Sequence, residues 1–205
     1  MQLKPGWAWA RHWYAHSLEA QGRLDEAMKE MRAALDQDPL SIPINWDVAS
    51  DLLCAKRFED ALKHVNKARE LFPNVPLFYF MKVEAYYGKG DLHSAHRIVE
   101  SLKTTQPELA SDPLFIALFG VQAAREGRRA EAVNALDRLE RLRRTQYVEP
   151  FVVLELCSTL NDKRQMLLWL RRADEERSTL LVYLPTLKNF LRLDPALVAQ
   201  FEKGA

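Results

Sequence analysis

The chain has 205 residues, of which 48% are hydrophobic and 10% aromatic, so it is long enough to bury a substantial core. Its 29 basic and 28 acidic residues leave a formal charge of +1, which argues against direct nucleic-acid binding because such proteins usually carry a basic stripe. No apolar run approaches the roughly 20 residues that cross a bilayer, and because the first residues lack an apolar h-region we expect no signal peptide. Cys54 and Cys157 stand apart from any CxxC pair, which indicates reduced thiols. Composition therefore predicts a soluble, cytoplasmic protein with no membrane segment.

Helical periodicity and turn residues predict ten helices in five consecutive hairpins. The predicted helices are 8–21 and 24–37, 42–54 and 58–71, 76–88 and 92–105, 113–126 and 129–143, 148–160 and 163–175. A longer link over 106–113 separates the third hairpin from the fourth. After the fifth, we expect a short turn around Leu184 and Pro185, and then one or two amphipathic helices that cover the last exposed face.

Equivalent residues recur every 34 positions along the first three hairpins. Two sets show this spacing: Pro39, Pro73 and Pro107 after the second helices, and Ala27, Ala61 and Ala95 within them. Gly22, Gly90 and Gly127 stand between the helices of their hairpins, and Lys56 takes that place in the second hairpin. A glycine ends a helix here because it readily enters the left-handed backbone conformation, and proline ends the unit because it cannot continue a helix. The pattern predicts stacked hairpins, each packed on its neighbours.

A period of 34 with this arrangement of small, large and turn residues resembles the tetratricopeptide repeat family. The resemblance implies an all-α fold, a right-handed α-solenoid of about five helix hairpins with a C-terminal capping segment. It implies one array over residues 1–205, with repeats at about 6–39, 40–73, 74–107, 113–144 and 147–177 and a cap at 178–205. It implies no cofactor.

Two stretches show a closer resemblance. The segment "HWYAHSLEAQGRLDEAMKEMRAALDQDPLSIPIN" looks like arrays that follow a winged-helix domain in CadC-like bacterial transcriptional regulators. "RLDPALVAQF" resembles the ending of those arrays, which also occurs in bacterial serine/threonine kinases with C-terminal repeats. The resemblance implies a non-catalytic interaction region of a regulator, with a kinase tail as the alternative. Because "LKPG" at 3–6 resembles the end of another repeat, we expect the array to be cut at this point, and a homodimer could form through the N-terminal face.

In tetratricopeptide arrays the first helices line the inner, concave surface. Carried over to this chain, the surface positions are Trp9, His12, His16, Glu19, Trp46, Ser50, Phe80, Glu84, Tyr87, Phe151 and Glu155. Several of these residues are aromatic, and aromatic anchors concentrate binding energy at interfaces. The resemblance therefore implies that a protein or peptide binds in this groove.

His12 and His16 are four residues apart, so a helix would present both on one face. A metal would need a third or fourth ligand, and the nearest candidates are Cys54 and Glu19, neither at a diagnostic spacing. The sequence therefore predicts no metal ligand, but a region that senses a small ligand or metal stays open as an alternative. The sequence contains no phosphate-binding loop, no GxSxG motif of serine hydrolases and no HExxH motif of zinc proteases, so we expect no enzymatic activity.

Overall fold

The computed structural model describes residues 7–178, 181, 184, 191 and 193–202. Over these residues the chain forms eleven α-helices and one 3-10 helix, and no strand. It divides into two compact units, Met1–Ala95 and His96–Ala205. The predicted all-α fold of consecutive helix pairs is confirmed. In the part of the chain that the structure describes, no helix is both long and apolar enough to cross a membrane.

The first unit contains five helices and the start of a sixth. They are α1 (Ala8–Ala20), α2 (Leu24–Gln37), α3 (Ile42–Cys54), α4 (Phe58–Leu71), α5 (Leu77–Lys89) and α6 (Leu92–Thr105), of which α6 continues into the second unit. Every one of these helices begins and ends within one residue of its predicted bounds. Within the unit, α1 packs on α2, α2 on α3, and both α3 and α4 on α5. The hairpin order predicted from the repeat is thus the order of packing.

The second unit continues the same pattern after a short insertion. It contains a 3-10 helix (Pro107–Ser111), α7 (Pro113–Arg125), α8 (Arg129–Leu142), α9 (Pro150–Thr159), α10 (Lys163–Glu175) and α11 (Pro195–Glu202). The 3-10 helix occupies the predicted long link and packs on α7, with Leu109 buried. In this unit α7 packs on α8 and α9, and α9 packs on α10.

The predicted C-terminal cap is described only in part. Helix α11 lies within it and packs on α10, and Val198 is one of its buried residues. Pro185 and the turn predicted around it lie outside the described residues. The extent of the cap and the single array over 1–205 stay predictions.

Small side chains form the seams between helices. Ala15 on α1, Ala27 and Ala34 on α2, and Ala61 on α4 are all buried. In α7, a Cβ added at Gly120 would meet the Ala135 and Leu156 side chains at 2.8 and 3.0 Å. Small residues therefore set how closely the helix axes approach, because cores at this density leave no room for another methyl group.

The turn inside each hairpin has one residue in the left-handed region. Gly22, Gly90 and Gly127 occupy this place with φ between 75° and 77°, as predicted. Lys56 and Asn161 occupy it in the second and fifth hairpins, with φ of 57° and 55°. Two backbone hydrogen bonds close the turn after α3, from the Lys56 and Arg57 N–H groups to the Leu53 and Leu52 carbonyls. This is the Schellman pattern, which satisfies carbonyls that the helix end leaves open.

Candidate functional site

Three polar side chains from two helices meet in the first unit. His12 and His16 lie one turn apart on α1, and Asp47 lies on α3. The Asp47 Oδ2 atom lies 2.6 Å from His12 Nε2 and 3.2 Å from His16 Nε2. The two Nε2 atoms are 3.1 Å apart. His12 is only 4% exposed, whereas His16 and Asp47 are half-buried. We call these three residues the His–His–Asp cluster.

Two carboxylates set the protonation of His16. Its Nδ1 atom lies 2.9 Å from Glu19 Oε2, and its Nε2 atom faces Asp47. Burial lowers the pKa of His16, but the hydrogen bonds to Asp47 and Glu19 outweigh burial and raise this pKa to about 10. Burial raises the pKa of Asp47, but the hydrogen bonds from His12 and His16 bring it below its ordinary value. At neutral pH, His16 is therefore an imidazolium and Asp47 a carboxylate.

Further along α3, two acidic groups stay protonated. Burial, with the nearby negative charge of Glu19, raises the pKa of Asp51 well above its ordinary range. Burial likewise raises the pKa of the Cys54 thiol to about 12. The cluster therefore has a neutral carboxyl and a neutral thiol on one side, and its negative charge resides on Asp47 and Glu19.

Two tryptophans flank the histidines on α1. Trp9 contacts His12 edge-on with ring centroids 5.3 Å apart, and Trp13 lies 5.9 Å from His12 and 5.7 Å from His16. Trp9 and Trp13 are 40% and 64% exposed. Because they are four residues apart, they lie on one side of the helix together with the histidines. We call Trp9, His12, Trp13 and His16 the first-helix face.

The other predicted groove residues of the first unit are less accessible. Trp46 is half-buried and stacks on Phe80, with ring centroids 6.0 Å apart and planes inclined by 29°. Phe80, Glu84 and Tyr87 on α5 are buried. Ser50 on α3 is half-buried. Of these residues, Trp46 and Ser50 are therefore more accessible to a ligand than Phe80, Glu84 and Tyr87.

The two remaining predicted residues belong to the second unit. Phe151 and Glu155 lie one turn apart on α9, where Phe151 is half-buried and Glu155 is buried. The contacts described above lie within the first unit, so the candidate site consists of residues from α1, α3 and α5.

Asp47 is the member of the cluster that the sequence did not single out. The predicted stripe on α3 included Trp46 and Ser50, and Asp47 and Asp51 follow them by one residue each. Consecutive side chains on a helix point about 100° apart, so Asp47 lies next to the predicted line of groove residues and not within it. The signal that could have found it is the carboxylate pair four residues apart, Asp47 and Asp51, matching the histidine pair four apart on α1.

Comparison with known proteins finds one family model that matches the segment holding the cluster. Residues 8–47 match the tetratricopeptide repeat family model. The matched segment contains α1, α2 and the beginning of α3, and thus all three residues of the His–His–Asp cluster. A comparison with curated proteins finds no match.

The chain is also similar to a solved structure described as "Structure of Naa15/Naa10 bound to HypK-THB". The two chains are 20% identical, with a TM-score of 0.44. The similarity covers 98% of this chain and 32% of the other, so this chain spans about a third of that protein's length.

Proposed function

We propose that this chain is a non-catalytic interaction module that binds a protein or peptide on the first-helix face and beside Trp46. The observation that carries the proposal is the exposure of Trp9 and Trp13 within the segment that matches a tetratricopeptide repeat. Exposure of an indole ring to water is unfavourable. Aromatic residues that also carry a polar group are the side chains that most often dominate the binding energy at interfaces.

Electrostatics support a partner with a hydrogen-bonding backbone or side chains. The first-helix face combines two exposed indoles with the His16 imidazolium, and Asp47 provides a carboxylate beside them. Such a surface places apolar contact area next to charged groups, as where the aromatic core of an interface meets its polar rim. The family resemblance implies a wider concave groove, which is part of the proposal where its side chains are accessible, as at Trp46.

A more specific part of the proposal concerns the class of regulatory protein to which this chain belongs. The resemblance of residues 12–45 to repeat arrays of CadC-like regulators supports a role in a bacterial transcriptional regulator, in which this region binds a peptide, a partner domain or the DNA-binding half. A repeat tail of a bacterial serine/threonine kinase is the alternative. In both cases the segment itself contacts neither nucleic acid nor membrane, and it acts in the cytoplasm.

Peptide display on the purified chain tests the binding surface. Peptides selected on the parent are measured against Trp9→Ala and Trp13→Ala by fluorescence anisotropy. Tyr147→Ala is the matched control, because it removes another exposed aromatic ring, one that lies in the second unit. We expect each tryptophan variant to weaken binding by about tenfold or more, equivalent to about 1.4 kcal/mol, and the control to leave it unchanged. Equal binding by all four proteins would contradict the proposal.

Self-association through the N-terminal face is a separate part of the proposal. It predicts a weight-average mass that rises with concentration in analytical ultracentrifugation, and a Trp13→Ala variant that stays monomeric at the same concentrations. A parent chain that remains monomeric throughout would exclude the homodimer and leave the peptide-binding surface to be judged by the display experiment.

A further inference from the structure

The His–His–Asp cluster points to a metal site. We propose that His12, His16 and Asp47 bind a divalent cation of the zinc class through their Nε2, Nε2 and Oδ2 atoms. The three residues each offer one ligand atom, and these atoms lie within 4.8 Å of one another. The proposal does not depend on the partner suggested above, because it concerns the chemistry of these side chains alone.

The distances fit a tetrahedral ion. Zinc bonds of about 2.0–2.2 Å to imidazole and carboxylate place neighbouring ligand atoms about 3.3 Å apart. The observed separations are 3.1 Å between the two Nε2 atoms, and 3.2 Å and 2.6 Å from these atoms to the carboxylate oxygen. Only the distance between His12 Nε2 and Asp47 Oδ2 would have to lengthen appreciably, by about 0.7 Å. Two ligands one turn apart on α1 and a third from α3 leave the fourth position of the ion open.

The three atoms are close enough that protons or a metal ion must lie between them. Imidazole Nε2 and a carboxylate oxygen are both lone-pair atoms when deprotonated, so at these separations they repel unless protons or a metal ion bridge them. His12 is buried, and its Nδ1 atom has no hydrogen-bond partner among the described residues. The polar interactions of this ring are therefore directed into the cluster through Nε2. A metal ion that binds the three lone pairs would hold all three atoms at once.

The surroundings orient the ligands. The His16 Nδ1–H group donates to Glu19 Oε2, which fixes the ring so that Nε2 points to Asp47. A carboxylate that accepts from the distal nitrogen of a ligating histidine is the usual support of a zinc site. Glu19, which the sequence suggested as a ligand, thus takes a supporting position, and Asp47 takes the ligand position. Cys54, the other candidate, is not among the three convergent residues.

The chemistry of the donors selects the metal. Two imidazoles and one carboxylate suit Zn²⁺, Ni²⁺, Co²⁺ and Cu²⁺, whereas Mg²⁺ and Ca²⁺ prefer a shell of oxygen atoms. An ion in this place would join the first helix of one hairpin to the first helix of the next. It would then stabilise the packing of the first hairpin on the second, and the open fourth position would accept water or a donor atom from a partner.

Zinc binding by the untagged, chelator-treated chain tests the proposal. Isothermal titration with Zn²⁺ is carried out on the parent, Asp47→Asn, His16→Ala and, as the matched control, His93→Ala, which removes an exposed histidine elsewhere in the first unit. We expect one zinc per chain for the parent and the control, and affinity lower by about tenfold or more in the two cluster variants. The melting temperature of the parent should rise with added zinc, because an ion that binds the folded state stabilises it.

A spectroscopic measurement keeps the test decisive if a cluster variant fails to fold, which circular dichroism would reveal. Co²⁺ in a tetrahedral site of the parent absorbs strongly in the visible range, and zinc should remove this absorption stoichiometrically. Parent protein that shows neither zinc uptake nor the cobalt spectrum would overturn the proposal. Binding that persists undiminished in folded Asp47→Asn and His16→Ala would do the same. In either case the cluster is a proton-bridged network that only links α1 to α3.

Discussion

Replacing Lys56 by glycine should stabilise the first unit. Lys56 is the left-handed residue at the end of α3, with φ of 57°, where three other hairpins have glycine. Its side chain is exposed and makes no ion pair within the described residues. The substitution therefore removes backbone strain without removing a native contact.

The expected change in the free energy of unfolding follows from two opposing contributions. A non-glycine residue in the left-handed region costs roughly 1–2 kcal/mol, which Lys56→Gly recovers. Glycine also gives the unfolded chain more freedom, which costs about 0.4–1 kcal/mol. The difference is a net gain of about 0.8 kcal/mol at the midpoints of the two ranges, with limits of roughly 0 and 1.6 kcal/mol. The reverse change, Gly90→Ala, should lose a similar amount, because a Cβ at Gly90 meets nothing within 4 Å and the whole effect comes from its φ of 77°.

Urea unfolding at neutral pH measures the effect, with an unchanged m-value as the sign that the unfolded state is comparable. Lys56→Ala is the decisive control, since it removes the same side chain but keeps a Cβ in the left-handed conformation. We expect the glycine variant to be more stable than the parent and the alanine variant to match the parent. If glycine and alanine have the same effect at position 56, backbone strain is not the cause and the reasoning is refuted.

Three further predictions test packing, thiol reactivity and charge. Gly120→Ala should destabilise the second unit by about 1–3 kcal/mol in urea unfolding, because the new methyl group clashes with the Ala135 and Leu156 side chains. Cys157 is buried and burial raises the pKa of its thiol, so iodoacetamide should label it only after denaturant is added, as mass spectrometry would show. Burial raises the pKa of Glu126, but hydrogen bonds, chiefly from Arg128, lower it to about 2. Since this folded value lies below the unfolded value of about 4.3, Glu126 stabilises the fold above pH of about 4.3, and that contribution disappears as the pH falls towards 2. The free energy of unfolding of Glu126→Gln should therefore fall less than that of the parent as the pH is lowered over this range. Acid titrations followed by circular dichroism measure this difference, and an equal fall in both proteins would contradict the pKa shift.

The sequence by itself determined the helices, their order and their turns. A period of 34 and the glycines at 22, 90 and 127 suffice for this, because helix bounds and left-handed turns depend on local backbone preferences that each residue type carries with it. The buried alanines of the seams, such as Ala27 and Ala61, were visible in the same repeat. The sequence also marked the histidine pair, since a spacing of four has a definite meaning on a helix.

Only the tertiary structure decided what the histidines contact. Asp47 lies in the next hairpin, and its approach to His12 depends on how α1 and α3 are rotated and offset, which a periodic pattern cannot specify to within one residue. The same holds for Phe80, which the repeat placed on an accessible surface and the packing of α5 buries. Local rules predict which face of a helix is apolar, but the partner of a polar side chain is set by the sum of many packing contacts between helices.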